Sequence, residues 1–164
     1  MIDAPFALLA EAAALNRFSS AEAYSWHRAL LATHEDKYDL RVAKRIRMGA
    51  TMSAADYIDM HRQRHDWITR MERELGAFDA LVMPTVPIVA PPIADLDASE
   101  EAFFKANALL LRNPSAINLL DGCAISLPCH APGTLPVGLM LAGPAMADAR
   151  VLAIARAVEA ALRQ

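Results

Sequence analysis

At 164 residues the chain is the size of one compact domain, and 55% hydrophobic against 21% charged residues exclude intrinsic disorder and the need for a disulfide or metal staple. A formal net charge of −3, with arginines interleaved among acids, gives no basic field to attract a nucleic acid. No apolar run reaches the roughly eighteen residues of a membrane-spanning helix, so no membrane partner is expected.

Residues from Ile2 to about Leu31 read as two alanine-rich helices, with Ser19 and Glu22 spaced as a capping box at the start of the second. The charged stretch Asp36 to Gly49 allows a short helix through Val42 and Ile46 with Gly49 as its stop. Ser53 and Asp56 form a second capping box, opening a long helix that ends at Gly76 in a left-handed cap. On that helix Ile58, His61, His65, Ile68, Met71 and Leu75 recur at steps of three and four and are expected to face the core.

Phe78 to Met83 is a short apolar run closed by Pro84, and Pro87, Pro91 and Pro92 make the following segment an ordered loop. Ser99, Glu100 and Glu101 open a helix expected to stop at Asn113-Pro114. Two further apolar runs, Ala124 to Pro128 and Pro136 to Pro144, read as strands, and the last helix runs from about Met146 to Leu162 with Val151, Ala155, Val158 and Leu162 as its stripe. The class is α/β, a few buried strands of a mixed sheet flanked by helices, in one domain spanning residues 1–164. Three apolar strands with open edges need something to cover them, so the sequence looks like part of a larger domain.

Cys123 and Cys129 are the two cysteines, and the chain begins without a cationic, apolar leader, so a reduced, cytoplasmic protein is expected. Six glycines assemble no phosphate loop, dinucleotide fingerprint or nucleophile elbow. His61 and His65 have the spacing of a helical metal pair, but Arg62 and Arg64 flank them; buried, hydrogen-bonded core histidines are the expectation, with no metal and no cofactor. Cys129-His130 could form a thiol nucleophile only if the two side chains faced each other, so the cysteines are read as buried small hydrophobes. Capping accounts for most of the seven serines, Ser115 and Ser126 excepted.

In order, Gly49 through Tyr57, Asp79 through Pro87 and Ala90-Pro91-Pro92-Ile93 resemble consecutive C-terminal blocks of the amidase signature family. Asn118 through Pro128 resembles its Asn, Gly, Pro-Ala-Ile-Ser-Val-Pro block, and Leu135 through Pro144 its Leu-Pro-Val-Gly-Leu-Gln block. The resemblance implies the C-terminal part of an α/β/α amidase fold, from an enzyme that cleaves carboxamide C–N bonds with a Ser, cis-Ser, Lys triad. It places that triad N-terminal to Met1, so no catalytic residue is assigned in this chain. The implied partners are a small amide substrate and the N-terminal portion of the same amidase; a homo-oligomer stays open.

None of the three lysines, Lys37, Lys44 and Lys105, is followed by the glycine and serine-rich loops that the triad needs. As pocket lining the resemblance suggests Thr85, Val86 and Pro87, in the loop after a strand, with a structural turn as the equal alternative. Asn118 would cap or bridge the same region, against a plain turn hydrogen bond. Relatives acting on glutamine hold its carboxylate with an arginine in the segment matching Val42 to Gly49, where Arg45 is better placed than Arg47. The acid that accompanies it in such relatives matches Leu111 here, which speaks against glutamine and for a solvated arginine. Two other readings remain: a noncatalytic interaction module on an amidase scaffold, and a thiol hydrolase centred on Cys129.

Overall fold

A computed structural model of the chain describes residues 7–15 and 17–162. The chain folds as two compact units, Met1–Trp67 and Ile68–Gln164. The first is helical: α1 (Ala7–Leu15), α2 (Phe18–His34), a 3-10 turn at Glu35–Lys37, α3 (Leu40–Arg47), a second at Met48–Thr51, and the first part of α4 (Ala54–Leu75). Ile2 to Phe6 of the first expected helix lie outside the described residues.

Two expected helix signals fall elsewhere. Ser19 lies inside α2, whose N-cap is Arg17 without a side-chain hydrogen bond; the real local cap is Asp39, whose carboxylate accepts from the Arg41 and Val42 N–H groups ahead of α3. Gly49 does not stop α3 but sits in the 3-10 turn that follows it, pressed against the main chain of Ser20, where a Cβ would overlap the carbonyl. Leu31, Ala43 and Ile46 form a core beneath it, flanked by Tyr24 and Tyr38.

The Ser53–Asp56 capping box is formed as expected. The Asp56 N–H donates to the Ser53 hydroxyl at 3.1 Å, and the Ser53 N–H donates to the Asp56 carboxylate at 3.2 Å. Helix α4 ends before Gly76, but Gly76 is not in the left-handed region; its N–H continues the helical ladder to Glu72 at 2.9 Å. The core stripe is also corrected. Met60, Trp67, Met71 and Leu75 are buried, whereas Ile58, His61 and His65 are exposed. The indole of Trp67 decides the register, because it buries more apolar area than Ile58 and its Nε1–H finds the Leu8 carbonyl at 2.8 Å.

The second unit carries strands β1 (Leu81–Pro84), β2 (Cys123–Pro128) and β3 (Gly138–Gly143) in the order β1-β3-β2. Both pairings are antiparallel, so the described strands are antiparallel throughout rather than mixed. Helix α7 (Asp148–Leu162) covers one face, packing Val151 and Ala155 onto Leu127 and Leu141, with Val82 and Ile125 beside them. On the other face Met140 and Ala142 of the central strand are buried, while Ala124, Ser126 and Pro128 of β2 are exposed. Burial on both faces therefore holds for the middle of the sheet and lapses at β2.

Two helices differ from expectation here. A short helix, α5 (Ile93–Ala98), starts directly after Pro92, where the proline sits at the N-cap and interrupts nothing. Helix α6 (Glu100–Leu119) begins at the Ser99 cap and continues through Pro114 instead of stopping there. An internal proline costs about 3 kcal/mol. Ile117 and Leu119, beyond the proline, are buried at about 1.5–3 kcal/mol each, which offsets it. The helix closes on Asp121, at φ 54°, with Gly122 N–H donating to the Ile117 carbonyl and Asp121 N–H to that of Asn118.

Candidate functional site

A polar cluster of the second unit forms where β1 and β2 flank β3. Thr85, directly after β1, donates its N–H to the Gly138 carbonyl at 2.8 Å, which extends the strand pairing by one residue. Its hydroxyl lies 2.5 Å from the Ser126 hydroxyl of β2. Gly138 lies between them, and a Cβ there would overlap both oxygens. From α6, Asn113 donates its side-chain N–H to the Pro84 carbonyl at 2.7 Å and accepts from Arg112 Nε at 3.1 Å.

This cluster fixes the backbone at the start of the Thr85-Val86-Pro87 loop, whose three residues are half-buried. Two hydroxyls that share one hydrogen bond retain one O–H proton between them, so the pair can donate to a further acceptor. Ser126 stood out in the sequence as a serine without a capping role. Asn113 and Gly138 did not: Asn113-Pro114 reads as a helix stop, and Gly138 as one residue of an apolar run.

Asn118 is exposed on the last turn of α6, and its main-chain carbonyl accepts the N–H of Asp121 at 3.2 Å. Arg45 belongs to the first unit, where it is half-buried and lines a cavity of about 310 Å³ with Ser19, Ser20 and Ile46. Arg47, its neighbour by motif, instead forms an ion pair with Glu35 at 2.6 Å. Leu111 is 40% exposed.

Both histidines of the helical pair are exposed rather than buried. His61 turns its ring edge-on to Phe18 and Tyr57, with centroids 4.8 Å and 4.7 Å away. Among the described residues no three His, Cys, Asp or Glu side chains converge to hold a metal ion. Nor is any described helix long and apolar enough to cross a membrane. Cys129 is exposed and Cys123 half-buried, so neither is a fully buried small hydrophobe. Cys129 Sγ lies 3.5 Å and His130 Nδ1 3.4 Å from the same Val137 carbonyl. Strand-end geometry thus directs both at the main chain.

Among the described residues, Asp56 and Tyr57 of the first unit are shifted by their hydrogen bonds. The Ser53 hydroxyl and N–H hold the Asp56 carboxyl below its ordinary value, with a smaller contribution from Arg17. Tyr57 donates its phenol to Glu22 at 2.9 Å, and that bond raises the phenol above its ordinary value. Glu22, Ser53 and Tyr57 line an open cavity of about 600 Å³ that also takes in Tyr24, Trp26 and Arg28. Each of the three lysines is exposed; Lys37 pairs with Asp36 at 3.3 Å.

The family model described as Amidase matches residues 4–152. The chain is similar to the 2-amino-5-chloromuconic acid deaminase of Comamonas testosteroni, 32% identical over 130 residues covering 79% of this chain and 28% of the deaminase. It is similar also to a glutamyl-tRNA(Gln) amidotransferase component of Salinispora arenicola, 32% identical over 147 residues covering 84% of this chain and 28% of that relative. Among solved structures, an amidase superposes with a TM-score of 0.72 at 26% identity, over 89% of this chain and 34% of its own. The selenomethionine form of the Kluyveromyces lactis allophanate hydrolase does so with a TM-score of 0.75 at 26% identity, over 94% and 26%. The chain thus spans about 28% of the length of these curated relatives.

Proposed function

This chain belongs to the amidase family, and on that premise we propose that it is the C-terminal portion of an enzyme that hydrolyses carboxamide C–N bonds. In this reading a serine outside the chain attacks the amide carbon, the C–N bond breaks with loss of the amine, and water releases the acid. A neutral lysine relays the serine's proton through a cis-serine, and main-chain N–H groups stabilise the oxyanion. This chain supplies structure: the sheet segment, its covering helices, and a pocket wall at Thr85, Val86 and Pro87.

The observation that carries the division of labour is the state of the lysines. A lysine can serve as the base at neutral pH only when burial lowers its affinity for protons. Lys37, Lys44 and Lys105 are all exposed. Three of the seven serines have structural partners: Ser53 and Ser99 cap helices, and Ser126 is bonded to Thr85. The substrate class is a small amide, and Leu111, where a glutamine-handling relative would carry an acid, argues for a side chain other than glutamine's.

A serine-directed fluorophosphonate tests this reading on the purified 164-residue chain. All seven serines are expected to stay unlabelled by mass spectrometry, because in this reading the activating lysine lies outside the chain and the carboxylate that accepts the Ser53 hydroxyl, Asp56, is held below its ordinary value and so is a weak base. Rapid stoichiometric labelling of any one of them would place a nucleophile in this chain and overturn the proposal.

A further inference from the structure

Within the helical unit, the open cavity of about 600 Å³ is walled by α2 and by the start of α4. From α2 come Glu22, Ser25 and Trp26, which are spaced by three and four residues and so share one face. From α4 comes Tyr57, whose ring is set edge-on against Phe18 and His61 and whose phenol donates to Glu22 at 2.9 Å. An ionised carboxylate offers about four acceptor sites, so the Tyr57 bond holds Glu22 in place and leaves it able to accept from a further donor. Tyr24 is half-buried in the wall, and the Trp26 indole is 79% exposed.

Charge decides what such a cavity can take. Glu22 is the acid among the lining residues and Arg28 the base. Arg28 follows Glu22 on α2 by about 9 Å along the axis and roughly 120° around it, so it stands off the face shared by Glu22 and Trp26. The start of α4 also reaches the cavity, through Ser53 and Ala54, and a helix start ordinarily favours an anion. That role is already filled by Asp56, whose carboxylate accepts from the Ser53 N–H and hydroxyl. The remaining face joins an acceptor carboxylate to aromatic rings, a pairing that suits a cation with an apolar body.

We propose that this cavity binds an aryl-alkyl ammonium ion. The ammonium N–H groups donate to the Glu22 carboxylate, and the aryl body lies against the Trp26 indole and the Tyr57 ring, withdrawing from water the apolar surface that Trp26 exposes. A cavity of about 600 Å³ falls within the roughly 300–1,000 Å³ of small-molecule sites, so it has room for the body as well as the charge. All of these residues belong to the Met1–Trp67 unit. Binding here needs no catalytic step, so its failure would leave the amidase reading untouched.

The probe is 2-phenylethylammonium, titrated into the 164-residue chain at neutral pH and followed by calorimetry and by tryptophan emission. Trp26 and Trp67 are the two tryptophans, and Trp67 is fully buried, so a change in emission reports on Trp26. The expected result is saturable one-to-one binding with a change in emission that Trp26→Phe abolishes. The neutral counterpart 2-phenylethanol is expected to bind about tenfold more weakly or worse, and Glu22→Gln, which keeps an acceptor for Tyr57, to weaken the ammonium by a similar factor with the thermal melt unchanged. Absence of saturable binding overturns the proposal, as does equal affinity for 2-phenylethanol or full affinity in Glu22→Gln. Tighter binding of phenylacetate would overturn it too, since Arg28 and not Glu22 would then select the ligand.

Discussion

The hydroxyls of Thr85 and Ser126 meet 2.5 Å apart across the central strand, although they belong to segments 41 residues apart in sequence. They meet because residue 138, between them, has no side chain.

Gly138→Ala forces a methyl group between the two side-chain hydroxyl oxygens and close to the Thr85 Cβ, so overpacking of about 1–3 kcal/mol is expected, read as a lower urea midpoint. Thr85→Val and Ser126→Ala each remove one partner and are expected to cost about 1 kcal/mol. The double variant should cost little more than either single one, since one bond is lost in all three. Fully additive losses would mean that the hydroxyls act independently.

Two other glycines separate close approach from backbone freedom. Gly49→Ala places its methyl against the Ser20 main chain, which has no rotamer to yield, and is expected to destabilise the helical unit by at least about 2 kcal/mol. Gly76→Ala meets nothing closer than 3.4 Å and needs no left-handed backbone. It is expected to leave stability unchanged or raise it by about 0.4–1 kcal/mol through the unfolded chain. Thermal melts of the two variants check the contrast; a loss at Gly76→Ala would restore the left-handed cap.

The contrast also marks what the sequence could disclose. Both capping signals were visible as Ser-x-x-acid spacings, and nothing local distinguishes Ser53–Asp56, which forms its box, from Ser19–Glu22, which falls inside α2. Tertiary packing decides between them. Likewise α4 offers two apolar stripes that share Met71 and Leu75, and the choice is made by Trp67, whose Nε1–H needs the Leu8 carbonyl. Pro114 reads as a stop because a proline is scored without the buried residues beyond it. The strands were legible since short apolar runs between turn residues have few other fates. The hydroxyl cluster was not, because Thr85, Asn113, Ser126 and Gly138 become neighbours only once the strand order is known.

The Ser53–Asp56 box gives a pH dependence. The Asp56 carboxyl is lowered in the folded chain, mainly by the Ser53 hydroxyl, so its stabilisation is complete above the ordinary aspartate range and is lost as pH falls through the lowered value. Ser53→Ala should remove both the cap, at about 1 kcal/mol near neutrality, and that acid-side dependence. Chemical unfolding of the two proteins between neutral and strongly acidic pH checks it: the stability curves should converge as pH falls. Parallel curves would mean that Asp56 titrates as it does in the unfolded chain.

The most direct measurement is ammonia release from small aliphatic and aromatic carboxamides by the purified 164-residue chain, against a buffer blank. The expected result is none above the blank anywhere between mildly acidic and mildly alkaline pH, because every lysine is exposed and the triad of this reading lies outside the chain. Sustained release in proportion to chain concentration would contradict the account, since the chain would then hold a catalytic centre of its own.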